Sequence, residues 1–267
     1  MNRRDLLRFT GTSLLTAGLT TIYGQKQSVF AQNKSSNRVS IQWLGHSCFL
    51  FTGDGLRILV NPFLPSGCTA KYKPPQVQVD VVIISSRLLD EGYASELPGN
   101  PQIIVESGVY NVKGLEIQGI NTFHDREKGR RFGLNVAWKW TQGGVKILHL
   151  GGAASPIGIE QKILMGTPDV AFIPVGGSAK AYNPEEAFDA MMSLKPRVMI
   201  PTQYSTKAAD QDNCDLVGVD QFLNLAKTED MNVRMINSNK FSLRNRDLPK
   251  KGTLIRVFNT NSVFANS

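Results

Sequence analysis

From Val39 onward the chain is built of short apolar runs separated by turn residues. "VSIQWL" and "SCFLFT" read as strands, and "LRILVNPF" follows across Gly53, Asp54 and Gly55, a hairpin turn. After the Pro74-Pro75 break, "VDVVIIS" and "PQIIVES" are nearly continuous in apolar residues, the pattern of strands inside a covered sheet. The first of these runs into a polar turn, "SRLLDEG", with a helix expected behind it. A second meander comprises "LEIQGINTF", "LNVAWKW" and "VKILHL", with Gly143-Gly144 as a hairpin turn. The pattern then alternates. "DVAFIPV" is a strand, "NPEEAFDAMMSLK" a helix with Asn183 as N-cap and Pro184 at the first helical position, and "PRVMIPTQY" the next strand. "GVDQFLNLAKTE" is a further helix, "NVRMIN" a strand, and "TLIRVF" is expected to close an edge. Strands first, then strand and helix in turn with no internal linker, imply one α/β domain with two sheets packed between helices.

The N-terminus follows a different rule. Arg3 and Arg4 precede Leu6 and Leu7, a weakly apolar Thr/Gly-rich run spans residues 9–23, and "SVFAQ" offers a small-residue cleavage site after Ala31. Charge, apolar run and small residues in that order make a signal peptide, and the paired arginines resemble the twin-arginine export class. The expected organisation is a signal peptide over 1–31, a flexible polar leader over 32–38 and a folded domain over 39–267. The destination is an export compartment, a periplasm or a thylakoid lumen.

Charge then changes meaning. Residues 1–31 carry Arg3, Arg4, Arg8 and Lys26 against one acid, Asp5, so the formal +8 of the 267-residue chain becomes +5 without them. Part of the basic excess is targeting, and no Lys/Arg run with interleaved aromatics points to nucleic acid. No stretch of 18 apolar residues occurs, so the mature chain has no transmembrane span of the helical kind. Cys48, Cys68 and Cys214 form no C-x-x-C pair; one disulfide is open to them in an oxidising compartment, and Cys48, within a strand, reads as a small buried hydrophobe.

The segment "IQWLGHSCFLFTGDGLRILVNPFL" resembles the opening of the metallo-β-lactamase superfamily, in particular its ascorbate-6-phosphate lactonase-like branch. The resemblance continues in order through "GVYNVKGLEIQGINTFHD", "VKILHLGG", "DVAFIPVGG" and "LKPRVMIPTQY", covering roughly residues 39–207. It implies a four-layer αββα sandwich with a site at the edge between the sheets. Active members hydrolyse substrates with one or two metal ions, usually zinc, that acidify a bound water and polarise the scissile bond. Their main ligand group is an H-x-H-x-D-H turn after a buried strand; the corresponding turn here is "SRLLDE".

Carried across residue by residue, the first histidine is Ser86, the second Leu88, the aspartate is kept as Asp90, and the last histidine is Glu91. The later histidine is kept as His124, the bridging aspartate is Gly152, and the final histidine is Gln203. Two of seven implied ligand positions are therefore kept, and Leu88 has no donor atom. Asp90, Glu91 and His124 are the remaining metal candidates, and His46, Asp90 and His124 the catalytic ones.

Simpler roles stand beside these. Asp90 and Glu91 would cap the helix expected behind them. His46 would fix a loop by hydrogen bonds, and His149 is structural. Asp125 would orient His124 or pair with Arg126 or Arg87, and Arg87 would neutralise the carboxylates. Ser85 and Ser86 follow a strand as a nucleophile might, without a G-x-S-x-G elbow, and His46 with Cys48 does not by itself make a dyad. Two functions follow. The first is an exported metallo-β-lactamase-fold protein without most metal ligands and with no cofactor, acting as a binding or assembly factor for a protein or small ligand. The second is a hydrolase with a mononuclear site of Asp90, Glu91 and His124 holding zinc or another divalent metal.

Overall fold

A computed structural model describes residues 37–260; the expected signal peptide over 1–31 and most of the leader lie outside the described residues. The chain enters through β1 (Val39–Gly45), β2 (Cys48–Gly53), β3 (Leu56–Val60), β4 (Val81–Ile83) and β5 (Gln102–Ile104). It continues through β6 (Gly108–Val112), β7 (Leu115–Phe123), β8 (Leu134–Gln142) and β9 (Val145–His149). After α1 (Ile159–Met165), β10 (Val170–Pro174), α2 (Pro184–Leu194), β11 (Val198–Thr202) and α3 (Val219–Thr228), it ends in β12 (Asn232–Ile236), β13 (Lys240–Leu243) and β14 (Leu254–Phe258).

These strands make a six-stranded sheet, β13-β1-β2-β3-β4-β5, and an eight-stranded sheet, β12-β14-β11-β10-β9-β8-β7-β6. The hairpins fall where the turn residues put them. Asp54 and Gly55 (φ 50° and 75°) join β2 to β3, and Gly143 and Gly144 (φ 59° and 72°) join β8 to β9. In both turns two successive left-handed residues match the twist of the flanking strands. The sheets face each other across an aromatic layer: Phe49 meets Phe172 edge-on with centroids 4.7 Å apart, and Phe51 meets Trp140 at 4.9 Å and 90°. Such pairs add roughly 1 kcal/mol each to what their burial contributes. The three α-helices contact the eight-stranded sheet, α1 on β7, α2 on β10 and α3 on β12. At the start of α2, Asn183 Oδ1 accepts from the Glu186 amide at 2.8 Å while Glu186 Oε2 accepts from the Asn183 amide at 2.9 Å, the reciprocal cap its sequence announces. Among the described residues no helix is long and apolar enough to cross a membrane.

Several sequence expectations are corrected. No helix follows β4, because residues 85–99 are turns and irregular chain. "PQIIVES" is not inside the sheet: β5 is the last strand, and Gln102 and Ile103 are exposed. "TLIRVF" is the reverse case, since β14 lies between β12 and β11 and β12 forms the edge. Strands β6 and β13 and helix α1 had no counterpart in the apolar pattern. Cys68 and Cys214 form the disulfide, and Cys48 is free and buried.

Candidate functional site

The segments that leave β3, β4, β7, β9 and β11 meet at one end of the sandwich. The two sheets are joined there by the Val136 amide, which donates to the Ser85 carbonyl at 2.8 Å. The turn after β4 closes tightly: a Cβ on Gly92 would lie 2.2 Å from the Ser86 carbonyl oxygen, so only glycine fits as built. That closure turns Glu91 inward, where it is wholly buried.

Glu91 Oε1 lies 2.6 Å from His124 Nε2 and accepts a hydrogen bond from Ser86 Oγ at 2.6 Å. Its other oxygen accepts from Asn61 Nδ2 at 3.4 Å, and Asn61 Oδ1 in turn accepts from the Ser85 amide at 2.9 Å. Burial alone would raise the carboxyl's pKa, but the His124 charge and the hydrogen bond from Ser86 overcome it and hold it down at about 2. His124 moves the opposite way: burial opposes its charged form, and Glu91 outweighs burial and raises the imidazole above its usual value. The contact is a buried ion pair held by charge rather than by an aligned hydrogen bond, since neither His124 ring nitrogen has a hydrogen-bond partner among the described residues.

Beside it, Asp90 Oδ2 accepts from Lys180 Nζ at 2.6 Å, with His46 Nε2 at 3.9 Å from the same oxygen. Burial lowers the His46 pKa against the pull of Asp90 and Glu91. Neither His46 ring nitrogen has a hydrogen-bond partner among the described residues, so this ring does not fix its loop as expected; the backbone carbonyl does, accepting from Trp43 Nε1 at 3.0 Å. The Gln203 amide, buried at a left-handed position (φ 52°), and the Ser85 hydroxyl are likewise unpartnered among the described residues. His149 stacks on Phe172 at 5.3 Å and accepts from the Gly151 amide at 3.0 Å, and burial holds it near pKa 4, neutral.

Gly152 sits against the ion pair. Its amide donates to Asn135 Oδ1 at 2.9 Å, and a Cβ there would lie 2.2 Å from His124 Cε1 and 3.0 Å from Glu91 Oε1. An aspartate at this position is incompatible with His124 where it stands.

The other candidates lie elsewhere. Arg87 is exposed and pairs with Glu106 at 3.1 Å, so it does not neutralise the site; Lys180 does. With no helix behind them, Asp90 and Glu91 cap nothing. Asp125 neither orients His124 nor binds an arginine: its carboxylate accepts from the amides of Glu127, Gly129, Arg131 and Phe132 at 2.8–2.9 Å, shaping the loop after β7. Arg126 grips Glu186 through Nε and Nη2 at 2.7 and 2.5 Å. Burial raises the Cys48 thiol well above its usual range, which disarms it as a nucleophile beside His46. Leu88 presents no donor, and Ser86 is committed to Glu91. Sequence reasoning missed Lys180, Asn61 and Asn135. The Asn61-Pro62 step inside "LRILVNPF" is a local turn signal that the strand reading passes over, and nothing local marks the other two.

Against a metal the donor set fits poorly. Among the described residues no three His, Cys, Asp or Glu side chains are grouped to hold an ion. Glu91 and His124 face each other, and an ammonium already occupies the Asp90 oxygen nearest His46. Two carboxylates and two protein cations balance here without an added charge. Of the four charged partners, only Lys180 and Asp90 reach solvent, and only in part.

Known proteins place this geometry in context. The family model described as "Beta-lactamase superfamily domain" matches residues 40–203. A metal-dependent hydrolase of Thermoplasma acidophilum is 26% identical over 190 residues, 63% of this chain and 84% of that protein. One of Thermococcus onnurineus is 29% identical over 193 residues, 63% of this chain and 85% of that protein. Among solved structures, a candidate Zn-dependent hydrolase of the metallo-β-lactamase superfamily from Thermotoga maritima superposes with a TM-score of 0.65 at 28% identity, over 83% of this chain and all of that one. A metallo hydrolase of Ignicoccus hospitalis, 18% identical with a TM-score of 0.55 over 78% of this chain and 99% of its own, shares the fold. The expected α/β sandwich and the family match agree, and the chain belongs to the β-lactamase superfamily.

Proposed function

We propose that the protein is an exported superfamily member in which internal ion pairs stand where a metal centre would be, and that it serves as a non-catalytic binding or assembly factor. The closed Glu91–His124 pair carries this reading. A superfamily hydrolase needs several imidazole and carboxylate donors converging on one or two cations. Here Ser86, Leu88, Gly152 and Gln203 occupy four of the ligand positions and Glu91 a fifth. The positive charge comes from the raised His124 and from Lys180. Export is supported by the arginine-led N-terminus and by the Cys68–Cys214 disulfide, a bond that persists in oxidising compartments.

A second reading rests on the relatives named as metal-dependent hydrolases. In it Asp90, Glu91 and His124 would bind one zinc or other divalent ion, after the Glu91–His124 pair opens and Lys180 leaves Asp90. Elemental analysis of natively exported protein separates the two. The binding-factor reading expects no stoichiometric transition metal and no change of melting temperature on adding zinc. One bound ion per chain, with a hydrolytic activity lost to chelator, overturns it.

A further inference from the structure

Away from that site, the C-terminal edge of the eight-stranded sheet concentrates positive charge. Residues 232–256 hold seven lysines and arginines and a single acid, Asp247. Asp247 is taken up by its neighbours, 3.6 Å from Arg244 Nε and 3.9 Å from Arg246 Nε. The parallel register of β12 and β14 sets Arg234 directly beside Arg256, like charges on one face of adjacent strands. That juxtaposition is unfavourable unless something negative lies over it. Neither arginine has a carboxylate within ion-pair distance among the described residues. Arg256 is half-buried and its guanidinium is held over the Phe241 ring at 5.2 Å, so its direction is fixed rather than free.

These side chains line a concavity of about 330 Å³ together with Lys251, Thr253 and the 247–249 segment. Its wall is anchored: Arg197 donates to the Pro249 and Leu248 carbonyls at 2.8 and 3.2 Å. The volume is at the small end of ligand pockets. Paired guanidiniums with an adjacent ammonium match the oxygens of a phosphate group.

We propose that the Arg234–Arg256–Lys251 concavity is an anion site for a phosphate-bearing ligand. Burial and the neighbouring Arg234 charge lower the Arg256 pKa, and Asp247, which also lines the concavity but lies closer to Arg244 and Arg246, offsets them only in part. The same phosphate chemistry is offered by a soluble phosphomonoester and by the headgroup of an anionic lipid. The site is independent of the metal question.

The test uses the full chain at low ionic strength. Inorganic phosphate and glycerol phosphate are titrated by calorimetry, and vesicles of phosphatidylglycerol or of phosphatidylcholine are tested by co-sedimentation. Saturable binding is expected, weakened at least tenfold by Arg234→Glu and by Lys251→Glu and kept within twofold by Arg87→Glu, a charge reversal on a distant exposed arginine. Binding of the small phosphates alone identifies a soluble ester, and binding of phosphatidylglycerol but not phosphatidylcholine vesicles identifies a headgroup. No saturable binding to any probe, or equal weakening by the Arg87 and Arg234 variants, overturns the proposal. Circular dichroism and urea midpoints of each variant guard against reading lost folding as lost binding.

Discussion

Replacing Glu91 by glutamine removes one charge from a fully enclosed pair while keeping the side chain's shape. The ionised carboxyl is stabilised from an ordinary 4.5 to about 2, a change worth roughly 3 kcal/mol. The sign follows from the direction. A carboxyl lowered in the folded state contributes its stability above pH 4.5 and loses it as pH falls toward 2. His124, raised in the folded state, contributes below its usual 6.5 and loses that contribution as pH rises through its folded value. The pair therefore supports the fold best between about pH 4.5 and 6.5. Glu91→Gln is expected to cost roughly 3 kcal/mol in that window, because the imidazole is left without its counter-charge and burial drives it neutral. Urea unfolding from pH 3 to 8 measures the first effect, and the His124 ring signals in NMR measure the second. In the native protein the ring stays protonated above pH 6.5; in the variant its pKa falls below that value. An acid limb of stability unchanged by the substitution, or a His124 that titrates identically in both proteins, would refute the reasoning.

Three further outcomes are expected. Gly152→Ala places a methyl against His124 Cε1 and should destabilise by about 2 kcal/mol, with a shifted His124 ring signal, read by urea unfolding and NMR. Reduction of Cys68–Cys214, whose residues are 146 apart, should lower stability by up to about 5 kcal/mol on the chain-entropy account; urea midpoints with and without reductant check it, and Cys214→Ser should match the reduced protein. Asp125→Ala should speed amide hydrogen exchange at Glu127, Gly129, Arg131 and Phe132 while leaving Val136 protected, since only the first four lose the carboxylate.

Local regularities carried most of the fold into the sequence. Alternation and apolar runs exposed the core strands, two glycine-bearing turns set hairpin registers, and Asn183-Pro184 began α2. Where neighbours in space decide, the sequence was silent. "PQIIVES" is apolar enough for a central strand and ends a sheet because, among the described residues, no strand pairs beyond it. The turn from Ser85 to Gly99 holds enough helix-forming residues to suggest a helix, yet the closure of Gly92 on the Ser86 carbonyl and the pull of His124 on Glu91 prevail. The same limit governs the site. Resemblance brought Glu91 and His124 under scrutiny as ligand positions, but their mutual contact was not visible in it. Lys180, 90 positions from Asp90, lay beyond any local pattern, and Arg87, its neighbour in sequence, was the natural but mistaken choice.

The approach of Gly152 to His124 also bears on how such a protein can change. A β-carbon at 152 and the present seat of the imidazole exclude one another. An aspartate at 152 thus requires His124 to leave its present seat, and leaving it costs the contact with Glu91. A substitution that puts a carboxylate at 152 therefore acts first on the ion pair, before that carboxylate can serve any ion.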